Sequence, residues 1–245
     1  MKQILYLVFI LTNTMLMAQS QSIDQKWKEV ELELQNGQFK SLQPKIDLIK
    51  DLSRKENNQA SYLKALFYES KIKFATTDEK DDVNFVFDLF KKELTGKSKV
   101  NDAIVNSYLA QLYNAYYNEN RWKIDSRTNV ENQSSNDVRF WTEETFKKTI
   151  VDYFSKSISV KNELVKAKST DYKMILQDVD NLDFNNKQID LTPTVYDVLV
   201  YDYINYLKRE DGQVKVKELY NDLVGINLKA NNPNAILYNE LNLLD

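Results

Sequence analysis

The 245-residue chain contains no histidine and no cysteine, and only four glycines and three prolines. Without His or Cys it lacks the commonest general base, the commonest transition-metal ligand, a thiolate nucleophile, a thioester and a lipid-bearing N-terminal cysteine. GxGxxG, GxxxxGK and GxSxG motifs are all missing. Scarce Gly and Pro disfavour the turn-dense β-sandwiches and favour helices. There is no basic block either: Lys alternates with Asp and Glu, as in KELTGKSK, which reads as solvated helix faces and excludes a phosphate-tracking surface for nucleic acid.

What is present begins with an export signal. Lys2 precedes the apolar run ILYLVFIL, and TNTMLMAQ follows, so cleavage is expected between Ala18 and Gln19. The run is too short for a membrane anchor, which needs about 20 residues. No later stretch is long and apolar enough to span a bilayer, so no transmembrane segment is expected after cleavage. Loss of Lys2 leaves 32 basic against 36 acidic residues, a net charge near −4. About 225 residues remain, enough to bury a core without disulfides.

Helical periodicity then recurs along the chain. Trp27, Val30 and Leu34 form the first face, with Gly37 as its stop. Phe39, Leu42, Ile46, Ile49 and Leu52 form the second, with Pro44 in or near its first turn. A third face carries Leu63, Leu66, Phe67, Ser70 and Phe74, and a fourth carries Val83, Val86, Phe87, Phe90 and Leu94. Such hairpins cannot bury their apolar faces alone, and stacking them gives an all-α fold, a tetratricopeptide-like or irregular α-solenoid. The expected organisation is a signal peptide (1–18), a helical-hairpin array (19–124), a polar linker loop (125–141) and a second helical segment (142–245), open-ended at its C-terminus.

The densest aromatic stretch is YNAYYNENRWKI. Tyr113, Tyr116 and Tyr117 extend a row begun by Ile104, Leu109 and Leu112, which predicts a buried helix junction and not a ligand pocket. Arg121 and Trp122 lie just past that row, where the guanidinium is expected to stack on the indole or pair with a nearby carboxylate such as Glu119. After the polar run, Thr142 reads as an N-cap for a helix through Phe146, Ile150, Tyr153 and Phe154. TPTVYDVLVYDYINYLKR predicts another, with Thr192 as N-cap and Pro193 at the first helical position. Leu237, Leu241 and Leu244 give the final helix an exposed apolar face, from which self-association or cover by further protein is expected.

Catalysis, if any, would rest on carboxylates. Asp178 and Asp180 imitate the first ligands of a calcium loop, but Leu182, Asp183 and Ile189 occupy the third-ligand, glycine and bidentate-glutamate places, so no metal is expected. No catalytic residue, cofactor or cofactor-binding residue stands out.

The order and spacing of several segments resemble a known family. QKWKEVELELQNGQFKSLQPKIDLI, YNAYYNENRWKIDSRT, NDVRFW, DYFSKSIS, STDYKMIL and LTPTVYDVLVYDYINYL are similar to the helical N-terminal region preceding the macroglobulin domains in alpha-2-macroglobulin family proteins of Bacteroidetes. The resemblance spans residues 19–245 and implies an envelope protease-trap setting. Bait region and thioester have no counterpart here, so it implies a non-catalytic scaffold in the periplasm or cell envelope, partnered by downstream macroglobulin domains or another protein. An independent tetratricopeptide-like adaptor binding peptides in a groove is the alternative, and a carboxylate-based envelope hydrolase a third.

Overall fold

A computed structural model describes residues 22–36, 38–76, 83–127, 136–176, 190–210 and 212–244. The export segment with Ala18 and Gln19, the stop at Gly37, the acidic run 178–186, Ile189 and the side chains of Phe39 and Phe74 lie outside the described residues. Among those residues every regular element is helical, and the β-pairing is an isolated bridge between Lys168 and Thr194. The chain divides into two compact units, one ending at Ile72 and the other beginning at Lys73.

The first unit holds α1 (Ile23–Gln35), α2 (Phe39–Lys55) and most of α3 (Gln59–Thr76). A reciprocal capping box starts α1: the Gln25 amide N–H donates to Ser22 Oγ, and the Ser22 N–H to Gln25 Oε1. Trp27, Val30, Leu42, Ile46, Ile49, Leu63 and Leu66 are buried as its core. The buried Trp27 indole N–H donates to Ser61 Oγ at 2.8 Å, which also accepts from Ser53 Oγ at 2.8 Å, so the polar edge of the ring is satisfied inside.

Each helix pair of this unit is tied by a lysine. Lys45 of α2 reaches Glu29 and Glu33 of α1 at 3.2 and 2.7 Å, Lys64 of α3 reaches Glu31 of α1 at 2.6 Å, and Lys50 of α2 reaches Glu69 of α3 at 2.5 Å. Pro44 lies further in than the first turn, because α2 starts directly at Phe39. Its missing N–H therefore removes one i→i−4 bond on an exposed face.

The scarcity of glycine has a structural counterpart. Helices α2 and, in the second unit, α11 (Gln213–Lys229) end in the left-handed region at Asn57 (φ 53°) and Asn231 (φ 54°). At both ends the next residue's N–H returns to the carbonyl five back, Asn58 to Ser53 at 2.8 Å and Asn232 to Asn227 at 3.0 Å. Asparagine tolerates that region better than other non-glycine residues, and it replaces the usual glycine in both stops.

The second unit is built around α5 (Lys99–Glu119), capped by Ser98 and buried at every position from Ala103 to Ala110. The short apolar α4 (Asn84–Lys91) buries Val86, Phe87 and Phe90 beside it. Helix α7 (Glu143–Ile158), capped by Thr142, packs along α5 in the most extensive helix contact, and α10 (Val195–Arg209) lies against both. The stretch 125–141 thus connects two helices of one unit, and the boundary between units falls at 72/73. Between α5 and α7 come α6 (Arg121–Ile124) and a 3-10 turn, Val138–Phe140, tied to α4 by the Val138 N–H donating to Asn84 Oδ1 at 2.9 Å.

Short helices α8 (Lys161–Leu164) and α9 (Lys173–Leu176) follow α7. The Tyr108 hydroxyl of α5 donates to the Ile175 carbonyl of α9. The cap of α10 differs from the expected one: Thr194, not Thr192, is the N-cap, and Pro193 precedes the helix. Asp197 decides this, because its carboxylate accepts from the Thr194 N–H at 3.0 Å and hydroxyl at 2.5 Å, closing a capping box that Thr192 has no acid to match. Pro193 keeps an extended segment whose carbonyl accepts from the Ser169 N–H. Helix α11 packs on α10, and α12 (Pro233–Leu244) on α11.

Candidate functional site

The three tyrosines of the α5 row divide in the structure. Tyr113 and Tyr117 are fully buried, and Tyr116 is half-buried. Tyr113 stacks on Phe87 of α4 at 4.2 Å between ring centroids and 6° between planes, and also on Trp141 at 5.3 Å and Tyr153 of α7 at 5.6 Å. Phe146 of α7 meets Tyr116, Tyr117 and Trp141 at 5.2 to 5.8 Å. Rings from α4, α5 and α7, with Trp141 from the segment before α7, therefore meet in one junction. Burial raises the Tyr113 phenol, with Asp88 adding to it. Burial also raises Tyr117 to about 12, helped by its hydrogen bond to Asp125 Oδ1 at 3.1 Å.

Of the two arrangements expected for Arg121, the structure shows the pairing with a carboxylate and not the stacking on Trp122. Trp122 is 74% exposed on α6, and the cation over its ring is Lys123 at 5.2 Å. Arg121 pairs with a nearby carboxylate, Asp125 in place of Glu119, at 3.2 Å and lies over the Tyr117 ring at 5.9 Å in place of the Trp122 indole. The cause is helical register, since Tyr117, Arg121 and Asp125 follow one another at i, i+4 and i+8.

Beside this junction an open cleft of about 580 Å³ is lined by Asp125, Arg127, Glu143, Lys147, Lys148 and Asp152, among others. Its charges are used within the protein. Lys147 bridges Glu143 at 2.9 Å and Glu210 at 2.8 Å, Lys148 meets Asp152 at 2.7 Å, and Arg127 Nη1 donates to the Trp141 carbonyl at 2.7 Å. Hydrogen bonding to Glu210 and then Glu143 raises Lys147, while Lys147 lowers Glu143. Both groups move away from neutrality, whereas an acid–base catalyst needs to move toward it. Among the described residues no three acidic side chains cluster to hold a metal ion.

A polar arrangement that periodicity did not reveal links α10, α11 and α12. Asp197 is fully buried, and Asn227 Nδ2 donates to its Oδ1 at 3.0 Å and to the Leu223 carbonyl at 3.0 Å. Burial raises the Asp197 carboxyl, against the lowering effect of the Thr194 and Asn227 hydrogen bonds. Tyr196 donates to Asp222 Oδ2 at 2.5 Å, and Lys161 pairs with the other oxygen. Asn239 and Asn242 of α12 each donate to the carbonyl four residues back and each accept a tyrosine hydroxyl, from Tyr201 at 2.6 Å and Tyr220 at 3.3 Å. The sequence signal was the coincidence of Asn and Tyr on neighbouring helices, invisible to a hydrophobic period.

These bonds set the orientation of α12. Ala235 and Asn239 are its buried positions, while Leu237, Leu241 and Leu244 are 59%, 55% and 84% exposed. A row of three leucines on this helix thus points to solvent, while Ile236 and Leu243 are half-buried. Among the described residues no helix is long and apolar enough to cross a membrane. No family profile, no curated protein and no solved structure matches this chain.

Proposed function

We propose that the chain is an exported, non-catalytic helical scaffold of the cell envelope, with its helix pairs stacked as a tetratricopeptide-like, irregular α-solenoid and a protein partner docked on α12. The observation that carries this reading is the outward leucine row, a surface prepared for contact on a helix already seated by its other side. Two further features support it. The charged groups of the cleft are tied up in structural pairs, and the Asp197 carboxyl, which burial raises, is shut away inside the fold. The resemblance to the helical region of alpha-2-macroglobulin family proteins supplies the envelope setting.

The test uses cells producing the chain from Met1 with a photo-crosslinking residue at position 241. Intact mass should show an envelope species beginning at Gln19 or a neighbour, and illumination should convert it to a discrete heavier adduct. A cytoplasmic species retaining Lys2 refutes export. An envelope species that forms no adduct from position 241 refutes the docking role of α12.

A further inference from the structure

Helix α12 is mounted against the ordinary logic of burial. Its inward side is Ala235 and two asparagines flanked by the half-buried Ile236 and Leu243, its outward side three leucines, and the helix cannot roll to hide those leucines without breaking the Tyr201–Asn239 and Tyr220–Asn242 hydrogen bonds. A buried Asn239 stripped of its tyrosine would carry the desolvation cost of an unsatisfied amide. The leucine row is therefore held in an outward position.

Spacing and charge identify the cover. Leu237, Leu241 and Leu244 step by four and then three, the spacing of a coiled-coil seam. The helix PNAILYNELNLL carries a single charge, Glu240, so it offers an oppositely charged partner almost nothing to pair with. The row is also self-complementary. An antiparallel copy related by a twofold axis puts Leu241 against its own counterpart and Leu237 against Leu244 of the second copy, as an isologous interface demands.

The area agrees with a modest dimer. With Tyr238 alongside at 40% exposure, the row offers on the order of 500 Å² of apolar surface per copy. Two copies together bury about 1,000 Å², the lower limit for a specific interface.

We propose that α12 is the interface of a symmetric homodimer, the second copy being the occupant of the docking face assigned above. This rests on the scaffold reading and names its partner. The dimer is reversible, with dissociation in the micromolar range that a small interface of this kind supports.

The closing experiment is sedimentation equilibrium of the exported chain across that concentration range, for wild type, Leu241→Lys, Leu241→Glu and an equimolar mixture of the two variants. Wild type should associate reversibly to a dimer, and each variant should raise the dissociation constant by at least about 30-fold, as for a central interface residue. The far-ultraviolet spectrum and thermal midpoint of the diluted monomers should match wild type, because position 241 is more than half exposed. Mixing Leu241→Lys with Leu241→Glu should restore the dimer, since the twofold axis sets the two positions opposite each other. A wild-type monomer at every concentration, a dimer indifferent to both variants, or variants that fail to rescue one another would each overturn the proposal. An adduct from position 241 with a different protein would do the same while leaving the scaffold reading intact, whereas no adduct at all removes both.

Discussion

Truncation of Tyr113 to alanine offers the sharpest test of the aromatic junction. The ring is fully buried between Phe87 at 4.2 Å and the Trp141 and Tyr153 rings at 5.3 and 5.6 Å. Removing a large buried aromatic costs about 3–5 kcal/mol in transfer and cavity terms. Stacking geometry contributes about 0.5–1.5 kcal/mol per ring pair beyond area. Those pairs share one ring and are not additive, so about 4 kcal/mol is the reasoned value. For a unit of this size, each kcal/mol lowers the midpoint by about 2–4 °C, which gives a fall on the order of 10 °C. Thermal and urea unfolding followed by circular dichroism measure it directly.

The same geometry predicts an order among the three tyrosines. Tyr117→Ala should cost about as much as Tyr113→Ala, because Tyr117 is equally buried, whereas the half-buried Tyr116 should cost roughly half. Tyr113→Phe keeps all three ring stacks and should remain within about 1 kcal/mol of wild type. If Tyr113→Ala unfolds within 1 °C of wild type, the rings do not form a core and the junction reading fails.

Two further perturbations address other features. Gly225 lies in α11 with open space where a Cβ would stand, so Gly225→Ala should stabilise the protein by about 1 kcal/mol in urea titration through helix propensity alone; a loss of stability would mean that something approaches the backbone there. Asp197 binds its proton more tightly folded than unfolded, so its contribution to stability diminishes as pH rises from about 4, the unfolded value, through the raised folded value. The advantage of wild type over Asp197→Asn, measured by urea unfolding across that range, should shrink with rising pH, and an advantage that grows would refute the raised carboxyl.

Much of the helical pattern could be read from side-chain spacing, because the apolar rows of α2, α4 and α7 face protein on one side and water on the other. That asymmetry is what a 3.6-residue period records. The α10 cap was misjudged by two residues, since TPT presents two threonines and only the reciprocal bond from Asp197 separates them. That Arg121 pairs with a nearby carboxylate was legible, but the i, i+4 spacing selects Asp125 over Glu119 and the Tyr117 ring over the Trp122 indole. The division at 72/73 could not be read from the polar run at 125–141, because a polar connection looks the same whether it joins two units or two packed helices of one.

Asparagine explains most of what remained hidden. On a propensity scale it is a poor helix former, yet Asn106, Asn120, Asn227, Asn239 and Asn242 each return an amide N–H to the carbonyl four residues back. That local bond uses the donor side of the amide and leaves the oxygen free to accept from a neighbouring helix. In α12 the acceptors meet the Tyr201 and Tyr220 hydroxyls, so a pair of polar residues does the seating that leucines usually do. Elsewhere Asn57 and Asn231 hold the left-handed helix stops that glycine usually fills. A chain poor in glycine and rich in asparagine and tyrosine can thus end its helices and fix the rotation of α12 through amide–phenol bonds, and this is why Leu237, Leu241 and Leu244 remain outside, available for contact.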